Sequence, residues 1–76
     1  MAINVLFFGP LAEIAGTAVA MPPVATLREL EQALFEQFPS LKERKYALSV
    51  NQKITTEDIA LADGFTVAFL PPFSGG

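Results

Sequence analysis

Residues 26–39 read TLRELEQALFEQFP. Thr26-Leu27-Arg28-Glu29 has the form of a capping box, in which the threonine hydroxyl takes an orphan amide and Glu29 reaches back to the cap. Leu27, Leu30, Leu34 and Phe38 then recur at helical spacing with Ala33 alongside, and Pro39 stops the run. The pattern predicts one helix over about residues 27–38 with a single apolar stripe. A helix with one stripe covers one side of a sheet, so the rest of the chain has to supply the strands.

Working outward, residues 2–8 (AINVLFF) are β-branched and aromatic and are stopped by Gly9-Pro10, which predicts a first strand. Alternation sets Ile3, Val5 and Phe7 on one face and Asn4, Leu6 and Phe8 on the other, with polar Asn4 marking the outer side. Residues 10–15 (PLAEIA) fit one helical turn with proline at its start and Gly16 at its end. TAVAM (17–21) predicts a second strand, closed by Pro22-Pro23. Beyond the helix, YALSV (46–50) predicts a third strand, followed by a turn at Asn51, which tolerates positive φ. Lys53-Ile54 starts a short strand before the irregular TTEDIALADG, and Asp63-Gly64 turns the chain into FTVAFL (65–70). In that last strand Phe65, Val67 and Phe69 share one face and Thr66, Ala68 and Leu70 the other. The expected core is Ile3, Val5, Phe7, Leu27, Leu30, Leu34, Phe38, Leu48, Val50, Val67 and Phe69.

Two strands, a helix and further strands form an α+β order, the order of ubiquitin-like β-grasp domains, whose first and last strands lie adjacent and parallel at the centre of a mixed sheet. A ferredoxin-like domain needs a second long helix, for which the chain has no room. The expected organisation is a β-grasp domain over residues 1–70 and an extended tail over 71–76.

Composition restricts the chemistry. The 76 residues are 51% hydrophobic and 17% charged, enough for one small core. Histidine and cysteine are absent, which removes the usual general base, thiol nucleophile and transition-metal ligands. The glycines at 9, 16, 64, 75 and 76 are too dispersed for a nucleotide-binding loop. Glu57-Asp58 is the one adjacent acidic pair, and such pairs in loops are ordinarily solvated. Net charge is −3 and the five basic residues are scattered, apart from Lys42, Arg44 and Lys45, so nucleic acid is not the expected ligand. No run approaches the roughly 18 apolar residues of a membrane span, and MAINVLFFGP has no basic residue ahead of its apolar stretch, unlike a secretory leader. A soluble cytoplasmic carrier or binding module is expected, without a self-contained active site.

The sequence closes on PPFSGG (71–76). This ending, together with INVLFFGPLAEIAG, the Val-Asn-Gln turn (50–52) and Asp63-Gly64, resembles the small subunit of molybdopterin synthase, the MoaD family, over nearly the whole chain. One departure is Phe65, where that family usually places an acidic residue. The resemblance implies a sulfur carrier acting in molybdenum cofactor biosynthesis. Its terminal glycine, Gly76, is adenylated by an ubiquitin-activating-like adenylyltransferase and converted to a thiocarboxylate. The large catalytic subunit, joined with it in a heterotetramer, then uses the sulfur to build the molybdopterin dithiolene from cyclic pyranopterin monophosphate. No cofactor is expected on this chain itself, ATP and Mg being used by the activating partner.

The residues agree with such a role. Gly75-Gly76 has no Cβ and threads a narrow channel. Pro71-Pro72 fixes an extended segment and lowers the entropy lost on insertion. Phe73 can anchor on the way in, followed by Ser74. Leu6, Phe8, Ala68 and Leu70 are expected as one apolar patch on the bare face of the sheet, bordered by Ile54, where partners dock. Other readings share the activated terminus: the sulfur carrier of thiamine thiazole synthesis, and an ubiquitin-related protein modifier. A purely structural ubiquitin-like module would tolerate loss of Gly75-Gly76; a carrier would not.

Overall fold

The computed structural model describes residues 2–72. Along the chain run β1 (Ile3–Phe7), α1 (Pro10–Ala15), β2 (Ala18–Met21), α2 (Leu27–Gln37), a 3₁₀ turn (Pro39–Glu43), β3 (Ala47–Val50), β4 (Lys53–Thr55) and β5 (Thr66–Leu70). The strands form one sheet in the order β2-β1-β5-β3-β4. β1 and β5 pair in parallel at its centre, with Val5 opposite Val67 and Phe7 opposite Phe69, and the other pairings are antiparallel. This is the β-grasp topology expected from the order of elements.

α2 starts where the capping box places it. Thr26 Oγ1 accepts from the Glu29 amide at 3.2 Å, while Glu29 Oε1 accepts from the amide of Ala25 at 3.3 Å, one residue further back than the cap itself. The stretch expected to be irregular also ties down this end. The Leu27 amide donates to the Ile59 carbonyl and the Leu61 amide to the Ala25 carbonyl, both at 2.9 Å, around an antiparallel bridge between Thr26 and Ala60. Of the acidic pair, Asp58 accepts from the Arg28 amide at 2.8 Å and faces its guanidinium at 3.8 Å, an exposed pairing of small energetic worth.

α2 lays Leu27, Leu30 and Leu34 on the inner face of the sheet, against Ile3, Val5, Phe7, Val50, Val67 and Phe69, all buried. Phe7 stacks on Phe69 with ring centroids 4.9 Å apart and meets the edge of Phe38 at 6.5 Å. Two expected core residues differ: Phe38, the residue that caps α2, and Leu48 are half-buried and flank the core. Leu11, Met21 and Leu41 complete it instead. Leu41 arrives because the chain continues past Pro39 into the 3₁₀ turn, which lies against α1 and α2 and turns this leucine into the core. Phe65 also packs partly against the core, so the departure from the family pattern occupies a semi-buried position.

Candidate functional site

Strand alternation that buries one face of the sheet fixes the other. Strand registers align Ala18, Leu6, Ala68, Ser49 and Ile54 in one row across all five strands of the uncovered face. Leu70 lies opposite Ala47 on the same side, and the Phe8 amide continues the β1–β5 ladder by donating to the Phe69 carbonyl at 3.1 Å. Small residues at the centre of the row make the face concave. A groove of about 470 Å³ runs over Leu6, Phe8, Ala68 and Leu70 and ends at the polar Ser49 and Gln52.

Exposure divides the expected patch. Phe8 (45%) and Ile54 (60%) are open to solvent, whereas Leu6 and Leu70 are half-buried and Ala68 is only 8% exposed. Ala68 departs from the expectation that it would face water, because its short side chain on the central strand sits below its longer neighbours. No loop of the described residues covers Phe8. The groove's polar end is rigid: the Asn51 amide donates to the Thr66 carbonyl at 2.7 Å, and Asn51 Oδ1 accepts from the Thr66 amide at 3.0 Å. Asn51 takes the expected positive φ (50°), and Gln52 follows at 75°.

β5 delivers the tail. Pro71 and Pro72 have no amide to donate, so strand pairing stops after Leu70 and the chain leaves the sheet beside the groove. Gly9, at φ 60° and ψ −138°, lies under this exit, and a Cβ there would stand 3.2 Å from Pro71 Cγ. In the sequence Gly9 signals only a strand stop; its close approach to Pro71 depends on tertiary pairing of β1 with β5. Behind the exit, the Tyr46 ring packs on Phe69 at 4.7 Å and its hydroxyl donates to Glu31 Oε2 at 2.6 Å. Burial, and then the Glu31 carboxylate, hold this phenol well above its usual pKa.

Phe8, Leu70, Pro71 and Pro72 are thus brought together at one end of the sheet, and Ile54 sits at the far edge of the same face. Phe73, Ser74, Gly75 and Gly76, expected from the sequence to enter a partner's channel and to carry the reactive group, lie outside the described residues. Among the described residues, no helix is long and apolar enough to cross a membrane.

A β-grasp sheet whose central strand runs out into a proline-led tail defines an ubiquitin-like protein. A sequence profile of the ThiS family matches residues 5–76, and the chain belongs to that family. It is 38% identical to the molybdopterin synthase sulfur carrier subunit of Escherichia coli (strain K12), over 97% of this chain and 99% of that one. Among solved structures, it is similar to a chain of the complex of subunits 1 and 2 of molybdopterin-converting factor from Helicobacter pylori 26695 (TM-score 0.75, 30% identity, full coverage of both chains). It is also similar to SAMP1 from Haloferax volcanii (TM-score 0.82, 26% identity, full coverage of both). The MoaD-type resemblance read from the residues is borne out by these relatives.

Proposed function

We propose that this chain is the sulfur carrier subunit of a molybdopterin synthase, with the Gly76 carboxylate as its working group. The observation that carries the reading is the likeness, over nearly the full length of both chains, to the carrier subunit of Escherichia coli. The exit of Pro71-Pro72 beside an uncovered apolar face supports it.

A carboxylate is a poor electrophile and needs activation. In the activating adenylyltransferase its oxygen attacks the α-phosphorus of ATP, and pyrophosphate leaves. A sulfide equivalent then displaces AMP from the mixed anhydride, giving a thiocarboxylate. The large catalytic subunit takes up this sulfur for the molybdopterin dithiolene, and water returns the carboxylate. This chain's part is to fold, to dock through Phe8, Leu70 and Ile54, and to direct Pro71, Pro72, Phe73, Ser74 and Gly75 into each partner's channel. ATP and Mg belong to the activating partner, and the cytoplasm is the compartment in which such a cycle runs.

The test is intact mass after incubation with the adenylyltransferase, ATP and a sulfur donor. One oxygen should be exchanged for sulfur, within the last peptide. Deleting Gly76 should abolish loading and leave the domain folded. Efficient loading of a chain extended beyond Gly76, without trimming, would overturn the reading. The family profile favours one further reading, the carrier of thiazole synthesis, which predicts that the loaded chain supplies sulfur to a thiazole-forming enzyme and not to a molybdopterin synthase large subunit.

A further inference from the structure

A second groove lies at the root of the tail, on the side of α1 and the 3₁₀ turn. About 210 Å³ in volume, it is walled by Pro10, Leu11, Pro71 and Pro72 and rimmed by Arg44 and Lys45. Its charge is out of keeping with the rest of the chain. Three of the five basic residues stand at 42–45 with the single anion Glu43, a local net of +2 in a protein of net −3. Lys42 is engaged over the Phe35 ring at 6.0 Å, whereas Arg44 and Lys45 are exposed and have no ion pair among the described residues.

We propose that this groove docks an acidic segment at the mouth of the channel that receives the tail, on the activating enzyme and on the large subunit alike. The inference rests on the sulfur-carrier reading. Four residues follow Pro72, and at full extension they reach at most about 14 Å. A partner that draws Gly76 into its active site must therefore bring its channel mouth to the root of the tail and cover the groove. Apolar walls under two exposed cations suit a loop that presents Asp or Glu side chains beside an aliphatic anchor. Because the domain carries excess negative charge elsewhere, the contact sets the direction of approach. An acidic rim is drawn to one end of the sheet and repelled from the α2 side, where Glu29 and Glu36 are exposed.

The test compares two double variants of equal charge change in the full chain. R44E/K45E reverses the rim of the groove, and K42E/K53E reverses two cations that do not line it. Affinity for the purified adenylyltransferase and for the purified large subunit is measured across a salt series, with thermal melting to confirm folding. R44E/K45E should weaken both complexes by about tenfold or more at low salt and flatten the salt dependence, with K42E/K53E changing affinity by under about threefold. R44Q/K45Q should fall between wild type and the reversal, and it serves if the reversed chain does not fold. Loading of Gly76 at saturating adenylyltransferase should remain in every folded variant. Equal weakening by both doubles would mean that bulk charge acts and would overturn the proposal, as would unchanged affinity in R44E/K45E. A wild-type chain that binds neither partner and takes up no sulfur would bring down the carrier reading, and this proposal with it.

Discussion

β1 has two sides made of much the same material. Ile3, Val5 and Phe7 face α2 and are buried. Leu6, with Phe8 just beyond the strand, faces away, and Phe8 stays 45% exposed. The difference lies in what covers them. The amphipathic α2 can shield one face, and the other, apolar over Leu6, Phe8, Ala68 and Leu70, is kept shallow by Ala18 and Ala68 and has no cover among the described residues. One strand thus carries the fold on its odd positions and the proposed docking on its even ones.

Four sets of substitutions sharpen or break this division, in order of expected effect on stability. Leu30→Ala or Leu34→Ala should cost about 2–5 kcal/mol in urea unfolding, a large share of what a small domain has. Losses below about 1 kcal/mol at both sites would mean that the helix-covered face is not a packed core. Gly9→Ala should cost about 1–3 kcal/mol, since alanine at positive φ is strained and its Cβ would press on Pro71. Restoring full stability by Pro71→Ala in the same chain would assign the cost to that contact alone, and not to φ.

Tyr46→Phe should cost about 1 kcal/mol at neutral pH through the lost bond to Glu31. Its pH dependence has a definite sign. The folded phenol is held above its unfolded value of about 10, so its contribution is complete below that pH and is lost as pH rises toward the folded value. The wild-type melting temperature should fall more steeply above pH ~10 than that of Y46F. As the only tyrosine in a chain without tryptophan, Tyr46 can be followed directly by tyrosinate absorbance. Smallest of all, Phe8→Asp and Ile54→Asp should shift stability by no more than about 0.5 kcal/mol while weakening partner binding by about tenfold or more. A large loss of stability from Phe8→Asp would show that the outer face is part of the core, and the division would fail.

Much of this was legible in the sequence because periodicity is a local signal. The stripe of α2, the alternation in β1 and β5 and the positive φ at Asn51 each follow from a few neighbouring residues. The misses arose where neighbours carry no period. Leu11 sits in a one-turn helix and Leu41 in the 3₁₀ turn after Pro39, where a buried leucine has no pattern to announce it. Phe38 continued the helical spacing but falls on the cap, where the chain turns away and leaves its ring at the border of the core. On the proposed docking face, Phe8 and Leu70 follow from alternation, with Ile54 at the border of their patch. The approach of Gly9 to Pro71 and the groove beside Arg44 join residues some 25 to 60 positions apart, and only the sheet brings them together.

The parallel pairing of β1 with β5 also orders events during synthesis. Val5 finds Val67 only after almost all of the domain has been translated, because the central place in the sheet is kept for a late strand. Until residues 66–70 emerge, β1 and β3 have no strand between them, and the layer on which α2 rests is split in two. A chain broken off before β5 would therefore present neither a folded core nor a root for the tail. Arrival of β5 and readiness to be recognised become one event, so the fold itself screens out chains that lack the central strand before any partner meets them.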